Sequence, residues 1–94
     1  MHPLVALAYT TIVNTLEKGE AKGHEKDGWR TTPKEVQLLK AIRHAITSIG
    51  LANYPEYFKD DETDIEHGEQ ALVRFDMYLR NLLDERKRSE QSRK

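Results

Sequence analysis

Apolar residues in this chain recur every three or four positions in three separate stretches and alternate nowhere with the period of two that a strand requires, which confines the fold to packed helices. Over residues 3–18 they fall at Leu4, Leu7, Ala8, Ile12 and Leu16, beside Thr11, with Val5, Tyr9 and Val13 on an adjoining stripe. Pro3 suits a first helical position and Gly19 a stop. The second stretch opens on Thr32-Pro33-Lys34-Glu35, where Thr32 is expected to cap, Pro33 to occupy the first turn and Glu35 to close a capping box. This predicts a helix to about Ile49 that buries Val36, Leu39, Ile42, Ile46 and Ile49 and ends at Gly50. The third stretch follows Asp60-Asp61-Glu62-Thr63-Asp64, with Thr63 and Glu66 as a second capping box and acidic charge at the positive end of the helix dipole. It is expected to run to about Arg88 and to bury Ala71, Leu72, Phe75, Leu79, Leu82 and Leu83.

Between these stretches, residues 19–31 hold three glycines, alternating charges and Trp29, and read as a long loop between the first two helices. Residues 51–59 form an aromatic connector in which Pro55 disfavours helix at Tyr54. The expectation is one all-α, three-helix domain over residues 1–88, with a charged tail over 89–94.

Only 37% of the 94 residues are hydrophobic and 33% are charged, so the core is thin. With no cysteine there is neither a disulfide nor a thiolate zinc site to support it. Self-association into a homo-oligomer is the expected remedy. Fifteen Lys and Arg against 16 Asp and Glu leave a net charge of −1, which argues against duplex nucleic acid as a partner but leaves room for a compact ligand with few charges. No apolar run approaches the ~20 residues of a membrane span. Met1-His2-Pro3 lacks the basic start of a signal peptide, so a cytoplasmic protein is expected.

For nucleophilic catalysis there is no cysteine and no GxSxG. His2, His24, His44 and His67 show no HExxH or HxxxH spacing and no His-Asp pair, and read as surface or packing residues. Magnesium in all-α nucleoside triphosphate pyrophosphohydrolases is held by carboxylates at helical spacing on neighbouring helices. Here Glu17 and Glu20 straddle Gly19, Glu62, Glu66 and Glu69 crowd a helix start, and Asp76 lies further on. Capping and the dipole account for the acidic start on local grounds. No catalytic residue, metal or cofactor is expected. More informative is Trp29-Arg30-Thr31-Thr32, which runs into a helix N-terminus where free N–H groups attract an anion. Arg30 can fork onto a phosphate and Thr31 or Thr32 can donate a hydroxyl; the simpler alternative is that Trp29 plugs the core, Arg30 pairs at the surface and Thr32 caps. Tyr9 either packs in the core or stacks on a base. Arg74, set among apolar residues, either pairs with Asp76 or a partner chain, or points into an anion site.

Taken in order, residues 3–16 with Tyr9, then Gly28-Trp29-Arg30-Thr31-Thr32, Leu39-x-x-Ile42-Arg43-His44 and Ala71-Leu72-x-x-Phe75 give the chain a family likeness. Over residues 3–83 it resembles the phage anti-CBASS protein 2 family, helical sponges that sequester the cyclic oligonucleotide alarms of bacterial immunity. More loosely, it resembles the N-terminal region of phage dATP/dGTP diphosphohydrolases, which share a Trp-Arg loop and an Arg-His on the following helix. The first resemblance implies a compact hexamer in the cytoplasm of the infected bacterial host. Such a hexamer binds cyclic dinucleotides such as cGAMP between paired protomers and cyclic trinucleotides in pockets shared by three, without cofactor or cleavage. By motif position it implies that Tyr9 stacks on a base, that Arg30 or Lys26 holds phosphate, and that Thr32 and Arg74 line the trinucleotide pocket. A two-fold ligand suits a two-fold interface. The alternative function is a magnesium-dependent all-α nucleoside triphosphate pyrophosphohydrolase using Glu17, Glu20, Glu66 and Glu69.

Overall fold

The computed structural model describes residues 2–21 and 28–92. Every regular element among them is helical: α1 (Pro3–Ala21), a 3₁₀ turn (Gly28–Arg30), α2 (Lys34–Asn53) and α3 (Asp64–Ser92). The chain is therefore all-α with three helices. α3 is the common wall: α2 lies antiparallel along it, pairing position 34 with 85, 37 with 74, 44 with 67 and 48 with 64. α1 packs on α3 and, among the described residues, not on α2. Much of the loop between α1 and α2, including His24 and Lys26, lies outside the described residues.

The start of α3 is built as its sequence foretells. Thr63 Oγ1 accepts from the Glu66 N–H at 3.1 Å while Glu66 Oε2 accepts from the Thr63 N–H at 3.0 Å, a reciprocal capping box. The start of α2 differs. Pro33, with extended backbone (φ −56°, ψ 140°), stands at the cap position, and no side chain caps the helix. Its carbonyl accepts from the Val36 and Gln37 N–H groups, while the Thr32 hydroxyl turns back to donate to the Gly28 carbonyl at 3.4 Å. Thr32 thus closes the 3₁₀ turn rather than the helix, and Glu35 pairs with Lys34 at 2.9 Å.

Neither glycine expected to stop a helix does so. α1 continues through Gly19 to Ala21, and α2 through Gly50 to Asn53. Gly50 is required for close approach: a Cβ there would land on the Phe58 ring. α2 stops instead before Pro55, with Tyr54 turned out of helix and its N–H bonded to the Gly50 carbonyl at 2.7 Å. The Phe58 N–H then bonds the Tyr54 carbonyl, folding the aromatic connector back over Gly50. α3 runs on to Ser92 rather than ending near Arg88.

The buried faces also differ from those expected. Leu39, Ile46 and Ile49 are 65%, 57% and 62% exposed, and Val36 and Ile42 are exposed with them. The face of α2 turned to α3 is instead small and polar: Gln37, Ala41 and Gly50 are buried, and His44 and Ser48 half-buried. On α3, Val73, His67 and Asn81 are buried, Ala71 and Leu82 half-buried, and Leu72, Phe75, Leu79 and Leu83 exposed. On α1, Leu4, Val5, Leu7 and Tyr9 are exposed, and Thr11 is buried. Periodicity identifies an apolar stripe without saying what covers it, and the α2–α3 seam is filled instead by the polar Gln37, His44 and His67 beside the small Ala41, Ser48 and Gly68. The chain exposes 7462 Å², against about 5,600 Å² for a compact monomer of its 10.9 kDa mass. Among the described residues, no helix is long and apolar enough to cross a membrane.

Candidate functional site

The second side of α3 forms a groove with the C-terminal half of α1. Residues spaced three or four apart share a helix face, so Glu66, Glu69, Gln70, Val73, Arg74 and Met77 all look into it. Leu16, Lys18, Gly19 and Glu20 face them from α1, and Glu62 and Trp29 close the ends. Glu20 reaches the groove because α1 does not stop at Gly19. A second cavity shares Leu16, Trp29, Val73 and Met77 with the first, and adds Ile12, Arg30, Asp76, Arg80 and Asp84. Trp29 lines both: the first cavity is rich in carboxylates, and the second sets Arg30 and Arg80 beside Asp76 and Asp84.

Carboxylates in the groove divide by what holds them. Glu66 Oε2 is bound in the capping box, and Glu62 Oε2 accepts from Gln70 Nε2 at 2.6 Å. The Glu20 and Glu69 carboxylates have no hydrogen bond or ion pair among the described residues. Arg74 is half-buried and donates through Nη1 to Gln37 Oε1 at 2.8 Å; burial pulls its pKa below the ordinary value. Gln37, at 0% exposure, donates in turn to the Trp29 carbonyl at 3.4 Å. This wholly buried amide therefore fixes both the groove's cation and its aromatic wall, a role that no local pattern in the sequence announces.

Of the residues expected to bind ligand, Trp29 and Arg74 share the first cavity, and Trp29 and Arg30 the second. The Arg30 guanidinium lies 4.9 Å from the Trp29 ring centroid, a cation–π stack. Thr31 and Thr32 both turn their hydroxyls to the Gly28 carbonyl, at 3.0 and 3.4 Å. Neither lines either of these two cavities. Tyr9 is 67% exposed and stands outside both. Lys26 lies outside the described residues. Among the four carboxylates of the hydrolase alternative, Glu20, Glu66 and Glu69 line the groove without forming a close cluster, whereas Glu17 is exposed and outside it.

A separate polar cluster joins α2 to the start of α3. His44 Nδ1 lies 2.9 Å from His67 Nδ1, the rings tilted by 32°. His67 Nε2 lies 3.3 Å from Asp60 Oδ1, at an angle that makes no hydrogen bond. Burial first, then the neighbouring His67 and Arg74, hold the His44 pKa below the ordinary histidine value. Asp60 is held below the usual carboxylate range chiefly by the Glu62 N–H bonded to it at 2.9 Å. These histidines stand 23 residues apart on different helices, so no local spacing reveals the pair. No family model matches the chain, and no curated protein or solved structure matches it either.

Proposed function

We propose that the chain is a magnesium-dependent nucleotide pyrophosphohydrolase working in the groove between α1 and α3. The observation that carries this reading is that Glu20 on one helix and Glu66 and Glu69 on the other line one groove, walled by Trp29 and holding Arg74. Among the described residues these carboxylates are not drawn together within ligand distance as Asp60, Glu62 and His67 are, so an ion held between them keeps bridging waters, as magnesium commonly does. When bound, magnesium neutralises phosphate charge and orients the reacting group. The chain's own residues then divide the nucleotide between them: Trp29 offers a flat face to the base, and Arg74, with Arg30 and Arg80 further along, offers donors to phosphate oxygens. Glu20 and Glu69 have no hydrogen bond or ion pair among the described residues, which leaves both carboxylates available to a cation. Pyrophosphate release is measured for each dNTP with magnesium and with EDTA. Release that EDTA stops and Glu69→Gln abolishes, with helicity unchanged, is the expected result; no turnover of any dNTP overturns the reading.

A second reading, sequestration of cyclic di- and trinucleotides without cleavage in the infected host's cytoplasm, is supported by the uncovered apolar stripe of α2. Leu39, Ile42, Ile46 and Ile49 form a continuous helical seam that none of the described residues covers, and a second copy of the same helix is the occupant it fits. In this reading the copies share pockets around Trp29 and Arg30. Light scattering with Ile46→Lys tests the seam, and intact recovery of cGAMP bound in EDTA tests the sequestration. A monomeric parent chain, or cleaved ligand, contradicts it.

A further inference from the structure

At the start of α3, outside the all-oxygen set of the groove, Asp60, Glu62 and His67 each bring one ligand-type atom to within 4.8 Å of the others. Acidic groups alone would mean little here. The telling atom is His67 Nε2: the side chain is 7% exposed, the nitrogen is wholly buried, and it has no hydrogen-bond partner while aimed at Asp60. An unpaired buried polar atom destabilises a fold unless something satisfies it.

The other ring nitrogen sits against His44: two imidazole nitrogens 2.9 Å apart need one hydrogen and one lone pair between them. In the tautomer in which His67 donates its Nδ1–H to His44, Nε2 carries a lone pair that faces Asp60. A lone pair opposed to a carboxylate repels unless a cation lies between them. An imidazole whose second nitrogen donates to a fixed acceptor is the usual state of a metal-bound histidine. The two carboxylates are oriented likewise, Glu62 by Gln70 Nε2 and Asp60 by the Glu62 N–H.

We propose that Asp60, Glu62 and His67 form a three-ligand site for a divalent metal of the zinc class, with His44 and Gln70 as its supports. One imidazole and two carboxylates suit a borderline cation such as Zn²⁺ or Co²⁺ rather than Mg²⁺, and leave a coordination position for water. Bonds of about 2.0–2.2 Å draw the ligand atoms to roughly 3.4 Å apart, a contraction that side-chain rotation of Asp60 and Glu62 supplies ahead of the helix. The site depends on neither reading of the groove.

The untagged, chelator-stripped chain is titrated with Co²⁺ and then Zn²⁺. The expected result is one equivalent of Co²⁺ with visible d–d absorption, displaced by Zn²⁺ and indifferent to millimolar Mg²⁺, with the His67 ring ¹⁵N shift marking Nε2 as the ligand. Asp60→Asn and Glu62→Gln each weaken binding at least tenfold, and Gln70→Ala weakens it by about tenfold, all with unchanged helicity. Absence of saturable uptake at millimolar Co²⁺ and Zn²⁺ overturns the proposal. So does uptake that survives both carboxylate substitutions, which places the metal elsewhere.

Discussion

The two sides of α3 use the same residue types to opposite ends. Toward α2, polar groups meet in pairs across the seam: Gln37 with Arg74, His44 with His67, Ser48 with the Asp64 carbonyl, Asn81 with the Thr32 carbonyl. Toward α1 the helix faces an open groove in which Glu20 and Glu69 are left unpaired. Burial explains the difference. A closed seam charges a penalty for every unsatisfied polar atom, whereas an open one lets charge wait in water for a ligand. Stability should therefore reside in the α2 seam and ligand recognition in the α1 groove, with Arg74 and Gln37 as the link between them.

That division can be broken experimentally, and the largest effect is expected at Gln37. Gln37→Ala leaves the half-buried Arg74 without its acceptor and the Trp29 carbonyl without its donor, a loss of about 3 kcal/mol in urea unfolding. A change within ±0.5 kcal/mol of the parent would show that the seam is not where stability lies. Gly50→Ala comes next. In an exposed helix that change gains up to about 1 kcal/mol; against the Phe58 ring it should instead cost about 1–3 kcal/mol, and a gain in urea midpoint would mean that Phe58 does not pack there.

A smaller effect concerns acid. With the His44 pKa below the ordinary 6.5, the unfolded chain binds the proton more readily, so stability is full above pH 6.5 and falls as pH drops toward the folded value. Asp60, also depressed, keeps its contribution until the pH falls through its ordinary 3.8 and loses it below. Thermal melts between pH 7 and 4 should therefore show a first loss that His44→Gln flattens; an unchanged slope in that variant would assign the loss to other groups.

How much of this was legible in the sequence follows the same boundary between local and distant. The helix count, the Thr63–Glu66 capping box and the break at Pro55 depend on residues within one turn of each other, and all three stand. Gly19 and Gly50 misled as stops because a glycine required for packing looks the same as one required for a turn, and only Phe58, eight positions on, tells them apart at Gly50. The apolar stripe of α2 was real but turned outward, since Gln37, His44 and Ser48 find partners 16 to 37 residues away. At the groove, Trp29, Arg30 and Arg74 were singled out by chemistry that does not depend on distance. Its carboxylates came to line one groove only once α1 and α3 were side by side.

The chain has a single tryptophan, and that residue lines both cavities, so its emission reports on the groove directly. Titration of each dNTP in the presence of magnesium should quench Trp29 fluorescence saturably. EDTA or Glu69→Gln should remove that quench without changing the far-UV spectrum. Quenching by cGAMP that is equal in EDTA and magnesium would favour sequestration over hydrolysis. Emission that stays constant with every dNTP and cyclic nucleotide would contradict the groove as a nucleotide site.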